Sequence, residues 1–583
     1  MSNNLDLSKI GFHWKGNYNS IMNYNENDVV RKNGDVFVYK SGSFQPFALG
    51  QRELGINQVL LKSSAAGGLP GQQLIQQADG TVQFDFPQAR SGIRAVSLSG
   101  MNDHCNDSNH NSDHCWHAIM SDGSIKGCGS NRKGQLGVGS EEQDYVRPVT
   151  VPFPRSAPKF IKVISAWQAT FFLGNNGEVW SCGHSNCNGF GESRPIPKNL
   201  SENSELQGEF VVEIITDHSN HSSLAIPQIF ARTDTGKVFA WGGNAYGSLG
   251  LGHTTTQLTP ALVPFTADTP IRKVVALGSQ DDASFFIDTN DNLYVCGHQH
   301  TSLFSAEHIS THRLFMPWGS KKVKSIHVTS GLYRSSSYWI KGRESVIVHV
   351  EDATNGIEVY ARGDSAGANG LPGRYNLNFS KSLTNSPLWK KGETQVVPWS
   401  ASGTNTPTLS TTAAKICYAV SQSNQQAICV DENGHLYHLG NPAHFRVNSD
   451  DTTTTHAHWF QMNPSIAYDI ERVFVSNGHT AITVLALRAD GVLVSAGYNG
   501  PESCRMDGKI TSLGVSILPL PFEDRVVDVF VGGEYVEDYS NKNERQVLIL
   551  NESGEVFAAG KNTSGTLARG TITYSSTFQK IHF

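Results

Sequence analysis

Short apolar runs bounded by Gly, Asn, Asp or Ser recur along the whole chain, and few stretches show the period of a helix. The clearest is Gly236 to Gly252, GKVFAWGGNAYGSLGLG. It reads as a tight turn at Asp234-Thr235-Gly236, a packed strand carrying Val238, Phe239 and Trp241, and then a loop punctuated by glycines. A turn residue followed six positions later by glycine recurs at Gly123/Gly129, Gly177/Gly183, Gly236/Gly242, Gly434/Gly440, Gly491/Gly497 and Gly554/Gly560. Asp291/Gly297 keeps the spacing with Asp in the turn, and Gly356/Gly363 has one extra residue, as a bulge would add. Further apolar runs precede each turn, such as Ile161-Lys162-Val163-Ile164 then Phe171-Phe172-Leu173. Each unit therefore offers three or four short strands. The eight closing glycines lie 54 to 77 residues apart. Units of that size cannot bury both faces alone, so the pattern predicts an all-β fold in which they pack side by side as propeller blades.

Three copies extend the pattern beyond the closing glycine: Asn131, Gly134, Leu136 and Gly137; Asn244, Gly247, Leu249 and Gly250; Asn562, Gly565 and Leu567, with Ala568 in place of the last glycine. With this second half, the unit resembles the regulator-of-chromosome-condensation repeat. The resemblance covers roughly residues 93–583 and implies a β-propeller. The family most often has seven blades, whereas eight hairpins imply eight. A C-terminal strand around Thr577–Phe583 is expected to close the ring. The family's best-known member is a nucleotide-exchange factor for a small GTPase, but none of its functional residues can be matched here.

The first 92 residues read differently. Residues 1–50 hold Trp14, Tyr18 and Tyr24, then Asp28-Val29-Val30, Asn33-Gly34 and a strand from Val36 to Tyr39. Asn-Gly between apolar runs predicts a hairpin. The pattern resembles small carbohydrate-binding-like modules of phage tail fibres and chitin-active enzymes, which would make Trp14 and Tyr39 candidate ligand-binding aromatics. Residues 51–92 hold two similar phrases, Asn57–Lys62 and Gly71–Gln76, resembling the linking phrases of tail-fibre proteins. The expected order is thus small β modules at 1–50 and 51–92, then the propeller.

Composition narrows the function. The chain carries a net charge of −6, which argues against gripping nucleic-acid phosphates. No apolar stretch is long enough for a membrane helix, and the N-terminal residues lack a secretory signal. Nine cysteines in 583 residues make no disulfide scaffold, and Cys128, Cys182 and Cys296, each just before a closing glycine, read as buried apolar residues. His104, Cys105, His110, His114, Cys115 and His117 crowd one loop and are the candidate metal ligands, but their spacing matches no zinc motif, and a solvated loop with no metal is expected. Arg362-Gly363-Asp364 is explained by the repeat, whose closing glycine it contains. No nucleophile elbow, phosphate loop or metalloprotease helix is present, so no catalysis and no cofactor are expected. Two long inserts, Asp364–Trp399 and Asn441–Phe460, leave the same point of the repeat. They supply Tyr375, Trp389, His456, His458 and Trp459 as candidate binding residues on loops.

From the tail-fibre resemblance of residues 8–92, the expected function is that of a phage virion protein displaying a propeller head. Its expected partners are other virion proteins and a host surface glycan or protein, in a homotrimer, with neither nucleic acid nor membrane insertion. The alternatives are a structural decoration protein and an intracellular interaction module that binds a small GTPase.

Overall fold

In the computed structural model, every regular element of the described residues is a β-strand. The structure describes most of residues 93–583 and seven short strands before them. The longer segments 101–114, 217–225, 278–282, 298–308, 364–389, 398–407, 410–416, 441–455, 476–482, 498–514 and 533–545 lie outside the described residues. Contacts cluster into two units, Met1–Ser97 with Met120–Asp122, and Leu98–Ile119 with Gly123–Phe583.

In the first unit, His13–Asn17, Asp28–Lys32, Asp35–Lys40 and Ser43–Pro46 form one sheet, with the first pair parallel. Lys32 pairs with Asp35 across Asn33-Gly34, as that dipeptide predicts. Gln58–Leu60, Gln73–Gln76 and Val82–Asp85 form a second, three-stranded sheet.

Beyond residue 93 the described residues build eight blade sheets, those of an eight-bladed propeller, and one two-stranded ribbon, Leu332–Ser335 with Tyr338–Lys341. Blade two is typical: Phe160–Ala166, Ala169–Gly174, Val179–Gly183 and Arg194–Asn199 pair in chain order, each antiparallel to the next. Blade one runs from Ala95–Gly100 through Cys115–Met120 and Ile125–Ser130 to Asp144–Thr150. Blade three runs from Val211–Thr216 to Gln257–Leu262, and blade four from Ile271–Leu277 to Ile309–Leu314. Where their side chains are described, second and third strands are mostly buried, because neighbouring blades cover both faces. Blades two and three, for example, share Phe171, Leu173, Val179, Ile214, Ile229, Phe239 and Trp241.

The repeat's residues have mechanical roles. The turn glycine is left-handed, as at Gly236 (φ 81), which donates to Thr233 O over 3.1 Å. Asn131, Asn244 and Asn562 are fully buried. Each accepts the amide five residues on (Leu136, Leu249, Leu567, at 2.9, 3.0 and 2.7 Å) and donates its amide group to loop carbonyls. One side chain thus satisfies a corner that has no ladder of its own. The corner then seats on the next blade: a Cβ at Gly134 would lie 2.9 Å from Pro195 Cα, and the amides of Gly139 and Gly252 donate to Pro195 O and Ser310 O, both over 2.8 Å. The same contact joins blade eight to blade one, where Gly570 N donates to Val146 O over 2.7 Å.

Three expectations change. The Gly356–Gly363 strand pairs with Ser345–Asp352 over eight residues without a register shift, so the extra residue lengthens the hairpin and makes no bulge. The C-terminal strand, Ser575–Lys580, is the fourth strand of the last blade, paired with Val556–Gly560. The ring therefore closes through side chains and corner amides, because every blade already has four strands of its own. His456–Gln461 is the fourth strand of blade six, which puts His458 and Trp459 on a ladder instead of a loop. That blade is widened by Gln395–Val397, drawn from the other insert and running parallel to it.

Candidate functional site

The first strands carry a shared irregularity. Six of them carry a polar or charged residue just before an apolar one: Ile161-Lys162-Val163, Val212-Glu213-Ile214, Arg272-Lys273-Val274, Lys324-Ser325-Ile326, Glu471-Arg472-Val473 and Val527-Asp528-Val529. At that point the register with the second strand slips. Phe160 faces Gly174 and Lys162 faces Leu173; Val211 faces Thr233 and Glu213 faces Arg232; Ile271 faces Asp288 and Lys273 faces Ile287. Blades five, seven and eight repeat the slip before Ser325, Arg472 and Asp528. A bulge re-aims side chains. Since the first strands of blades two to eight stand side by side, the repeated bulge makes a belt around the inner wall.

Along this belt the charges pair between blades. Glu213 meets Arg232 of its own blade at 3.2 Å and Lys273 of the next at 3.3 Å. Arg472 of blade seven meets Asp528 of blade eight at 3.0 Å, and Asp528 accepts Leu98 N of blade one at 3.4 Å. The bulged Arg272 and Lys324 converge on Asp291 at 2.8 and 3.1 Å, and Lys324 also reaches Glu351 at 2.7 Å. Burial alone would raise Glu213, but Lys273 and Arg232 outweigh it and hold the carboxyl below its ordinary value. At Asp528 burial wins, and its carboxyl stays above the ordinary value despite Arg472 and Leu98 N. Lys162 is lowered, first by burial among its neighbours, with Glu213 opposing and Lys273 adding to the effect.

The candidate metal ligands divide. His104, Cys105, His110 and His114 lie outside the described residues, while Cys115 and His117 are fully buried in the second strand of blade one. Cys115 packs with Leu136, Val138 and Tyr145. His117 Nε2 lies 3.3 Å from Leu136 O, so it is the nitrogen that carries the proton, and the ring meets Phe172 of blade two edge-on at 5.7 Å. Among the described residues no group of three or more His, Cys, Asp and Glu is placed to hold a metal. Cys128, Cys182 and Cys296 are free and buried, as expected. They also point thiols at corner carbonyls of the preceding blade, Gly565 O (3.4 Å), Gln135 O (3.5 Å) and Ser248 O (3.0 Å), and burial raises all three pKa values. Trp14, Tyr39, His458 and Trp459 lie on strands whose side chains are outside the described set, and Tyr375 and Trp389 lie outside the described residues altogether. No helix among the described residues is long and apolar enough to cross a membrane.

Burial holds the pKa of His117 down from the ordinary 6.5 to about 4. The unfolded chain takes up a proton near the ordinary value and the folded chain does not. Stability is therefore complete above 6.5 and is lost as the pH falls toward 4, by roughly 3 kcal/mol from this group. Urea unfolding between pH 7 and pH 4 should show a shallower loss in His117→Leu than in the wild type; equal slopes would refute the assignment.

At the outer rim, a cleft of about 460 Å³ lies between the Gly189–Glu205 side of blade two and Thr259 and Pro260 of blade three. Of its lining, Phe190 lies under Arg194 and Lys198 at 5.3 and 5.6 Å, and Glu205 accepts Leu262 N at 2.8 Å.

The belt was not singled out from sequence. Its signal was present as a polar residue, charged in five of six cases, repeated at one place in the first strand of blades two to five, seven and eight.

Residues 122–173 and 235–280 match the model of the Regulator of chromosome condensation (RCC1) repeat, and the chain carries RCC1 repeats. It is 27% identical over 184 residues to the ultraviolet-B receptor UVR8 of Arabidopsis thaliana, covering 31% of this chain and 38% of that protein. It is 29% identical over 192 residues to the secretion-regulating guanine nucleotide exchange factor of Mus musculus, with the same coverages, 31% and 38%. The matches therefore span well under half the length of these relatives. Among solved structures, Prp20p of Saccharomyces cerevisiae aligns at TM-score 0.42 and 17% identity, over 69% of this chain and 87% of that one.

These relatives overturn the virion reading. They are cellular proteins of a plant and a mouse, and the similarity lies in the repeats. The virion location, the virion and host-glycan partners and the fibre-like homotrimer fall with it. Those calls rested on a few aromatics in residues 8–92, and such aromatics are also what a very small β module needs as its core.

Proposed function

We propose that this chain is a non-catalytic protein-binding module, built on RCC1 repeats, whose partner is a small GTPase. The observation that carries the reading is the similarity over 192 residues to a guanine nucleotide exchange factor. The belt supports it, since ion pairs and exposed apolar side chains on a rigid ring make an interaction surface. We place the ring from residue 93 onward as the binding part.

The test is binding of the purified full chain to a panel of small GTPases in nucleotide-free, GDP-bound and GTP-analogue-bound forms, by biolayer interferometry. At least one member should bind at about micromolar affinity or tighter. Absence of binding across the panel retires the GTPase reading. Faster release of a fluorescent GDP analogue from the bound GTPase would show exchange activity and overturn the non-catalytic part.

A further inference from the structure

On blades two and three the belt is apolar and exposed. The bulged residue is charged on blades four, five and seven (Arg272, Lys324, Glu471) and apolar on blades two, three and eight; Ile161 and Val212 are exposed at 37% and 38%, whereas Val527 is only half-exposed. Next to Val211–Thr216, Phe210 is 45% exposed and sits over the turn of blade two, where a Cβ on Gly177 would lie 2.7 Å from Phe210 Cγ. Three exposed apolar side chains thus gather where the first strands of neighbouring blades begin. None contributes to the blade cores.

The charges at this corner do not balance. Glu213 is held by both Arg232 and Lys273. Lys162, the equivalent residue of blade two, reaches solvent and makes no direct ion pair among the described residues; it senses Glu213 only at a distance, together with Lys273. Three cations therefore share one carboxylate, in a chain whose net charge is −6. A like-charged neighbour and partial desolvation both disfavour the Lys162 ammonium. An incoming carboxylate would offset both by direct attraction.

We propose that this corner is a docking surface for an acidic and apolar segment of a partner protein, with a carboxylate between Lys162 and Lys273 and a neighbouring apolar side chain over Ile161, Phe210 and Val212. The inference rests on the interaction-module reading and adds the chemistry of what docks and where. Charge complementarity selects the occupant. A nucleic acid would need a run of unpaired cations along its backbone, and here the cations crowd around Glu213. A long acidic side chain with an apolar neighbour meets both halves of the corner.

The test uses random-peptide display on the full chain, followed by titration of the most enriched peptide, synthesised with a fluorescent label. Enriched peptides should pair Asp or Glu with a large apolar residue. The charge reversal Lys162→Glu with Lys273→Glu should weaken binding by about tenfold or more, while Lys162→Arg with Lys273→Arg should stay within about threefold of the wild type. Phe210→Ser should weaken binding without touching any charge. Thermal melting of each variant guards against misfolding, and the Arg and Ser variants keep the test readable if the reversal does not fold. Enrichment of peptides without acidic residues, unchanged affinity in the reversal, or no enrichment overturns the proposal. So does a concentration-dependent dimer that the reversal dissolves, since the occupant would then be a second copy. The GTPase panel fails or succeeds on wild-type chain alone, so the two readings fall separately.

Discussion

Gly242→Ala is expected to destabilise the propeller by about 3 kcal/mol or more, while Gly208→Ala costs about 1–2 kcal/mol. Both glycines are left-handed, with φ of 100° and 81°. They differ in what a side chain would meet. At Gly208 nothing lies within 4 Å of a Cβ, so only the backbone strain of a non-glycine residue remains. At Gly242 the Cβ would run into the carbonyl oxygen of Pro227 and lie 3.1 Å from its carbon. That carbonyl cannot withdraw, because Gly243 N donates to it over 3.0 Å and Gln228 pairs with Gly242 in the adjacent ladder position. Gly183 repeats the arrangement in blade two, against Gln168 O, which His184 N holds at 2.8 Å. Urea midpoints of the two variants, read by tryptophan fluorescence, check the claim. A Gly242→Ala loss no greater than that of Gly208→Ala would show that steric closure is not what the closing glycine is for.

This contrast explains why so much of the ring could be read from sequence. A closing glycine that must be left-handed and also lie against a neighbour's carbonyl has little room for another residue, whereas a turn or corner position can take Asp291 or Ala568 at positive φ; the recurrence of the glycines still marks one geometry. The turn and closing glycines, and the corners at Asn131, Asn244 and Asn562, were therefore visible in the amino-acid order. The bulged belt was harder to see. Lys162, Glu213 and Lys273 each look like ordinary polar residues in a half-buried strand when read alone. Their meaning comes from neighbouring blades, because Glu213 meets Lys273, 60 positions further along, only once the next sheet has folded. His117 was misleading for a related reason. Its sequence neighbours His104 to Cys115 suggest a ligand loop, but a six-residue strand that is buried throughout carries it into the core. The N-terminal aromatics had the opposite problem, with a legible local pattern but too few residues to choose between a ligand-binding face and a small core.

The seam between the last and first blades carries the second large effect. Trp116→Ala should cost about 3–5 kcal/mol, and Trp116→Phe about 1–3 kcal/mol, the second chiefly from a buried carbonyl left without its donor. Trp116 is fully buried in blade one; its Nε1 donates to Thr566 O of blade eight over 2.6 Å, and its ring meets Phe583 edge-on at 6.2 Å. Trp241 plays the same part inside the ring, donating from blade three to Cys187 O of blade two over 3.0 Å. The two sites should lose similar stability on truncation, since the buried ring and the single hydrogen bond are alike. They should differ in where the loss appears. Blades two and three are joined by the chain, so opening that junction is limited by covalent connection. Blades eight and one are joined only by such contacts as Trp116, Cys128 to Gly565 O, Gly570 N to Val146 O, and Asp528 to Leu98 N. Hydrogen exchange in Trp116→Ala should therefore rise together in Cys115–Met120 and Gln546–Asn551, two strands far apart in sequence, with Gln228–Thr233 still protected. In Trp241→Ala the rise should centre on Gln228–Thr233 and its neighbours. If Trp116→Ala leaves Gln546–Asn551 as protected as the wild type, the ring does not depend on this seam, and closure must rest on other contacts.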